Sequence, residues 1–116
     1  MAWVKFDDGY ADHRKVAGLS DAAFRLHTAG ILYCGKHLTD GLIEGVEVPR
    51  LVRRFRKAAL VELVDAALWI PLLDGAAYSI HDYLDWNDPA DVVKDRQEKA
   101  AKRKAAWRNR NAGGTP

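Results

Sequence analysis

The chain has 116 residues, a formal net charge of +2 and a single cysteine. This length is typical of one domain that folds without disulfides or metal ions, and one cysteine excludes an intrachain disulfide. The N-terminus has no signal-peptide pattern and no uncharged stretch reaches membrane-spanning length, so we expect a cytoplasmic protein without a membrane segment.

The small net charge hides a segregation along the chain. Residues 1–88 carry 10 Lys and Arg against 13 Asp and Glu, whereas residues 89–116 carry 8 against 3, which gives net charges of −3 and +5. A folded body followed by a basic segment is typical of proteins that bind polyanions.

Four elements are predicted in the first half of the chain. Alternation over residues 3–6 predicts a short strand. Ser20 is a good N-cap for a helix that extends to about residue 36, and Asp21 suits its positive end. Residues 42–44 are predicted to be briefly extended, and Pro49 fits the first turn of a short helix over residues 48–55.

The second half is predicted to contain a helix, a hairpin and a further helix. Apolar spacing favours a helix over residues 58–68, and Asp74-Gly75 between the apolar runs 69–73 and 76–81 is a strong hairpin signal. Asp88 and Pro89 fit the start of a basic C-terminal helix over residues 88–111, and residues 112–116 are predicted to be a disordered tail.

The order of these elements predicts a mostly α fold with a small β-hairpin. Strand, helix, short helix, helix and hairpin match a winged helix-turn-helix in residues 1–87, and the connections are as short as that fold requires.

Five segments resemble the N-terminal winged-helix domain of phage and prophage replisome-organiser proteins, which are related to the DnaD-like primosome family. They are Trp-Val-Lys-Phe-Asp-Asp at 3–8, Asp-His-Arg-Lys-Val at 12–16, Thr-Asp-Gly-Leu-Ile at 39–43, Leu-Val-Asp-Ala-Ala-Leu-Trp at 63–69 and Tyr-Ser-Ile-His-Asp-Tyr-Leu-Asp-Trp-Asn at 78–87. The resemblance implies DNA binding and replication initiation, with DNA, further copies of the chain or replication proteins as partners. Ala67 departs from the pattern, because relatives tend to have glycine there, and we expect a smoother exit from the third helix.

Five cations within eight residues mark the junction of the second and third predicted helices. They are Arg50, Arg53, Arg54, Arg56 and Lys57. In a helix-turn-helix this junction faces the major groove, which makes Arg56 and Lys57 candidates for base edges and the other three candidates for phosphates. The alternative is a solvated basic face, or pairing with Glu44, Glu47 and Glu62.

The basic C-terminal helix is the second candidate for DNA contact. Its predicted DNA-binding residues are Lys94, Lys99, Lys102, Arg103, Lys104, Arg108 and Arg110, and Arg96 adds a further cation. Contacts of this kind are made to phosphates and carry little sequence information. The alternative is a solvated helix held by the pairs Asp95–Lys99 and Glu98–Lys102.

The sequence gives little support for catalysis or metal binding. Cys34 and His37 are three residues apart on a predicted helix and His27 precedes them, but a fourth ligand is missing and the spacing matches no zinc pattern. Phosphate-binding glycine loops, a nucleophile elbow and a metalloprotease helix do not occur. We therefore expect a protein that is not an enzyme and needs no cofactor or metal.

These observations favour a phage-type DNA-binding protein that acts in replication initiation or regulation. The alternative is a winged-helix interaction or oligomerisation module without direct DNA readout. In that case Trp3, Phe6, Tyr83 and Trp86 would line an apolar interface rather than the core of a monomer.

Overall fold

The computed structural model describes residues 4–81, 83–86 and 90–113 of an α+β protein. The helices are α1 (Arg14–Ala17), α2 (Asp21–His37), α3 (Lys57–Asp65), α4 (Tyr83–Trp86) and α5 (Ala90–Gly113), and the strands are β1 (Leu42–Glu44), β2 (Trp69–Leu72) and β3 (Ala77–Ile80). Short 3₁₀ helices cover Tyr10–Asp12, Val48–Arg50 and Leu73–Gly75. Across these described ranges, none of the helices combines the length and the apolar character that crossing a bilayer requires.

Helix α2 is the central helix and begins where the sequence predicts. The Ser20 side chain accepts a hydrogen bond from the Ala23 backbone N–H at 3.2 Å, as expected of an N-cap. The Ser20 N–H donates to the Glu62 carboxylate of α3 at 2.7 Å, which ties the two helices together. Spacings of three and four place the buried residues on one face: Ala23, Leu26, His27, Gly30, Ile31, Cys34 and Gly35.

The predicted hairpin is confirmed, and the predicted extended segment joins it as a third strand. The strand order is β1-β3-β2, all antiparallel, with Ile43 opposite Tyr78 and Trp69 opposite Ile80. Strand β2 lies at an edge of the sheet, where Pro71 can be accommodated without losing a ladder hydrogen bond. The sheet buries one face against α2 and leaves the other exposed.

The sheet and α2 approach each other closely at Gly30. A Cβ atom on Gly30 would lie 2.5 Å from Trp69 Cζ2 and 3.2 Å from Ile43 Cδ1. The absence of a side chain at this position therefore allows the fully buried Trp69 to pack directly against the helix.

The predicted N-terminal strand is wrong for the residues that the structure describes, 4–6, and Trp3 lies outside them. Val4 packs against the core beside Gly35 of α2, and the Phe6 ring contacts the Tyr10 ring edge-on at 4.9 Å. The apolar alternation is thus satisfied by packing onto a helix rather than by pairing with the sheet.

The predicted helix over residues 48–55 is reduced to the 3₁₀ helix Val48–Arg50, although Pro49 does lie in its first turn. Bends and turns follow, and they let Leu51, Val52 and Phe55 all pack against the core. A continuous helix is therefore replaced by a tighter path that brings three apolar side chains inward.

Helix α3 ends at Asp65 instead of residue 68, and the expectation of a smoother exit at Ala67 is wrong. Ala67 is left-handed with φ 59°, and the Leu68 N–H donates to the Leu63 carbonyl at 3.0 Å. This is a Schellman ending, and it turns the buried Leu68 back onto the buried Leu63.

The long basic C-terminal helix is confirmed as α5. It continues to Gly113, so residues 112 and 113 of the predicted disordered tail are helical, whereas residues 88, 89 and 114–116 lie outside the described ranges. The Ala90 N–H at its start donates to the Asp40 carboxylate at 2.7 Å. Asp40 lies in the loop that follows α2, so α5 begins in contact with the body of the domain.

Ala67→Gly is expected to raise the free energy of unfolding by about 0.5–1 kcal/mol, because glycine adopts positive φ without the steric cost that alanine bears. Urea denaturation followed by tryptophan fluorescence measures the change. The matched control is Ala66→Gly, one residue earlier at φ −78°, which should lower stability by about 0.5–1 kcal/mol. Loss of stability in both variants would contradict the role of the backbone conformation.

Gly30→Ala is expected to lower the free energy of unfolding by about 1–3 kcal/mol, because the new methyl group overlaps the Trp69 ring. This change is opposite in sign to the increase of about 1 kcal/mol in the free energy of unfolding that replacing glycine by alanine usually causes inside a helix. Gly18→Ala is the control, because its φ is −81° and the nearest atom lies 3.8 Å from the added Cβ. A stabilising Gly30→Ala would mean that Trp69 shifts without cost.

Candidate nucleic-acid interface

The five cations predicted at the helix junction are all exposed. We call them the basic cluster: Arg50, Arg53, Arg54, Arg56 and Lys57. Arg50 ends the 3₁₀ helix, Arg53 and Arg54 lie in the turns after it, Arg56 is the N-cap residue of α3 and Lys57 is its first residue.

The local chain path explains why these cations face solvent. Leu51, Val52 and Phe55 pack inward against the core, so the arginines between and after them are left outside. Arg56 has extended backbone angles and makes no side-chain capping hydrogen bond to α3. The N-terminal end of α3, which carries the positive end of the helix dipole, therefore follows a run of exposed basic residues.

Two of the three carboxylates that could neutralise the basic cluster have identified partners. Glu47 lies 3.6 Å from Arg50, whose side chain is 75% exposed, and an exposed pair of this kind contributes little to stability. Glu62 instead accepts the Ser20 N–H at the start of α2. The pairing alternative thus holds for Arg50, and Glu62 serves the packing of α2 on α3.

The exposed face of α3 offers few groups for reading bases. Lys57, Ala58, Val61 and Asp65 lie on it, and Val61 is 47% exposed. Only Lys57 among these can donate to a base edge, and Asp65 would repel phosphates. The donors of this region are therefore concentrated at the first turn of α3 and the residues before it.

Helix α5 presents all of its predicted DNA-binding cations to solvent. The Lys99 ammonium pairs with Asp95 at 3.0 Å, which confirms one of the predicted pairs. The acidic residues Asp91, Asp95 and Glu98 follow spacings of four and three, so they share one face of the helix. The remaining faces carry cations without interspersed acids.

The hairpin contributes no positive charge, because residues 69–80 contain no Lys or Arg. Its tip carries Asp74 and the 84% exposed Leu73. Its outer face, continued by β1, exposes Leu42, Ile70 and Leu72. This surface has three exposed apolar side chains and the exposed carboxylate of Glu44, and it is unsuited to phosphate contact.

The aromatic residues predicted for an oligomer interface do not form an exposed patch in the part of the chain that is described. Tyr83 is buried in the core, and Phe6 packs on Tyr10 while remaining partly exposed. Trp3 and the Trp86 side chain lie outside the description.

The histidine and cysteine candidates occupy structural positions. His27 is buried, its Nδ1 accepts the Trp69 Nε1–H at 2.9 Å, and burial lowers its pKa to about 4. Burial likewise raises the pKa of the Cys34 thiol. Within the described ranges, no three His, Cys, Asp or Glu side chains come together to hold a metal ion.

Comparisons with protein-family models, curated proteins and solved structures find no match to this chain. The resemblance to replisome-organiser domains therefore stays a prediction.

Stability is expected to fall as the pH drops from about 6.5 to 4, because unfolded His27 takes up a proton in this range and the folded state does not. Protonation would also remove the acceptor of the Trp69 N–H. The loss should approach about 3 kcal/mol, measured as the free energy of urea unfolding across this range.

His27→Gln should remove this part of the pH dependence. The exposed His37 of the same helix provides the control, because His37→Gln should preserve the dependence. Equal profiles for the wild type and His27→Gln would show that other groups cause the loss.

Proposed function

We propose that this protein binds DNA through a winged helix-turn-helix domain, assisted by its basic C-terminal helix. The succession of α2, β1, a short 3₁₀ turn, α3 and the β2–β3 hairpin supports this assignment. The three-stranded sheet in the order β1-β3-β2 and the packing of α2 on α3 are also in keeping with it. In this arrangement α3 corresponds to the recognition helix.

The observation that carries the proposal is the exposure of the whole basic cluster at the start of α3. Five exposed cations lie in the eight residues that lead into a helix whose dipole also attracts anions. Removing this surface from water without a polyanion would be costly, whereas phosphates satisfy both the guanidinium groups and the N–H groups at the helix end.

The chemistry of the α3 face favours phosphate contact over base readout. In this proposal Arg50, Arg53 and Arg54 bind the DNA backbone, and Arg56 and Lys57 contact a base edge near the first turn. Beyond that turn Val61 and Asp65 offer no useful donor. Affinity therefore depends strongly on salt and only weakly on sequence.

Helix α5 adds a second, independent contact to the backbone. Its 24 residues extend about 36 Å, close to one turn of the duplex. Its predicted cations are all exposed, and its acids are confined to one face. A helix of this length can follow the phosphates of one groove edge without reading bases.

The resemblance to phage and prophage replisome-organiser domains supports a role in replication initiation or its regulation, acting in the cytoplasm. This part of the proposal depends on the likeness of the quoted segments and not on the geometry of the basic cluster.

A second candidate function is that of an interaction module, favoured by three exposed apolar side chains on the outer face of the sheet. Leu42, Ile70 and Leu72 are 47%, 42% and 37% exposed. An apolar surface of this kind is typical of an interface. Light scattering coupled to size exclusion, on the wild type and Ile70→Ser, tests whether this face mediates self-association.

The DNA-binding proposal is tested by fluorescence polarisation with a random-sequence duplex over a series of salt concentrations. Three variants remove the same charge from different places. The first is Arg53→Gln/Arg54→Gln/Arg56→Gln/Lys57→Gln, the second is Lys102→Gln/Arg103→Gln/Lys104→Gln/Arg108→Gln, and the control is Arg14→Gln/Lys15→Gln/Arg25→Gln/Lys36→Gln. All twelve residues are exposed, so each variant should retain the fold.

The first two variants should each lose affinity and reduce the slope of log Kobs against log salt by up to about 3.6, the value for four lost phosphate contacts. The control should change the slope much less. Equal losses of affinity in all three variants would show that the overall charge of the protein, and not the position of the cations, determines binding. Absence of binding by the wild type at low salt would overturn the proposal and leave the interaction module in its place.

A further inference from the structure

A cavity of about 260 Å³ lies between the N-terminal segment, residues 4–16, and the body of the domain. Ile31 of α2, Leu68, Ile80 of β3 and Tyr83 of α4 contribute to its inner wall. An apolar cavity of about 150 Å³ is sufficient to hold benzene. This cavity therefore has room for a molecule of one or two rings.

Aromatic side chains shape the part of the wall formed by the N-terminal segment. The Phe6 ring meets the Tyr10 ring edge-on at 4.9 Å, and the Tyr10 ring stacks on the His27 imidazole at 5.9 Å with an angle of 23°. Rings arranged in this way offer both faces and edges to a further planar group. The apolar part of a matching ligand is accordingly flat.

The polar part of the wall is rich in hydrogen-bond donors. His13 and His27 both use Nδ1 as an acceptor, His13 from the Lys15 backbone N–H at 3.3 Å and His27 from Trp69 Nε1–H at 2.9 Å. A neutral imidazole with Nδ1 as acceptor carries its proton on Nε2. Both rings therefore retain an Nε2–H donor, and the Lys15 ammonium adds three more.

Charge along the wall also favours an anion. The lining contains two ammonium groups, those of Lys5 and Lys15, and the carboxylate of Asp7. That carboxylate already accepts the Gly9 N–H at 2.8 Å. A carboxylate on the ligand would complement the Lys15 ammonium and the His13 Nε2–H donor.

We propose that this cavity binds a small planar carboxylic acid of one or two rings, with the ring between Phe6, Tyr10 and Tyr83 and the carboxylate toward Lys15 and His13. The inference does not depend on DNA binding, because none of the basic cluster lines the cavity. It assigns a ligand site to the N-terminal segment, for which sequence patterns predicted only a short strand over residues 3–6.

The test is a titration of the full-length, ¹⁵N-labelled protein with indole-3-carboxylate and with benzoate, followed by amide chemical shifts. Saturable shifts are expected at the amides of His13, Lys15 and His27, with a Kd on the order of 1 mM or below. The neutral analogues indole-3-carboxamide and benzamide should bind at least about fivefold more weakly, because they lack the charge that strengthens the hydrogen bonds.

Two variants locate the carboxylate. Lys15→Gln should weaken carboxylate binding about two- to fivefold and leave carboxamide binding unchanged. His13→Asn should act in the same direction, because asparagine preserves the cap of α1 and removes the imidazole donor. Lys36→Gln, at an exposed position outside the cavity, is the control and should bind as the wild type does.

The proposal is overturned by the absence of saturation up to about 10 mM probe, by shifts confined to the basic cluster and α5, or by equal affinity for carboxylates and carboxamides. If His13→Asn disturbs the amide spectrum of the free protein, Lys15→Gln alone decides, because Lys15 is exposed.

Discussion

The burial of Trp69 is the constraint on which the rest of the domain depends. Its side chain is fully buried, donates to His27 at 2.9 Å and packs against Gly30 of the same helix. On the sheet it lies opposite Ile80 and contacts the Tyr78 ring at 6.1 Å. One side chain thus fixes the distance between α2 and the sheet, and its polar atom is satisfied without water.

This arrangement explains why a histidine is tolerated in the core. Trp69 has one N–H that requires an acceptor, and His27 supplies it only while its Nδ1 carries no proton. The same burial that lowers the pKa of His27 keeps it in the form that the tryptophan needs. The histidine is therefore a structural partner, and the metal-ligand role weighed from its spacing to Cys34 has no support in the packing.

Sequence patterns predicted those elements whose signals are local. Ser20 as an N-cap and the Asp74-Gly75 turn depend on neighbouring backbone groups, and both were predicted correctly. The end of α3 was not predicted correctly. Leu68 has the spacing of a core residue of the helix, but it lies outside the helix and reaches Leu63 because Ala67 is left-handed. Alternation at residues 4–6 indicated one-sided burial but not which element provides the partner surface.

The two candidate sites also differ in whether local sequence signals predict them. Exposure of the basic cluster follows from its composition. Leu51, Val52 and Phe55 pack against the core, and the charged side chains next to them remain in solvent. The cavity could not be predicted this way, since its walls come from residues 5 to 83 and meet only after the N-terminal segment folds over α2. Its signal in the sequence was limited to histidines without a metal pattern.

The tight loop after α2 connects the start of the basic helix α5 to the core that also carries the basic cluster. Leu38, Asp40 and Gly41 all have positive φ, which reverses the chain between α2 and β1 within a few residues. Strain of this kind persists only where the surrounding structure holds it. Here the Asp40 carboxylate accepts the first N–H of α5, so the turn that positions β1 also positions the start of the basic helix. The position at which α5 begins is therefore fixed by the same core that exposes the basic cluster. A ligand that contacts both the basic cluster and the first turns of α5 meets groups whose positions are already fixed before binding.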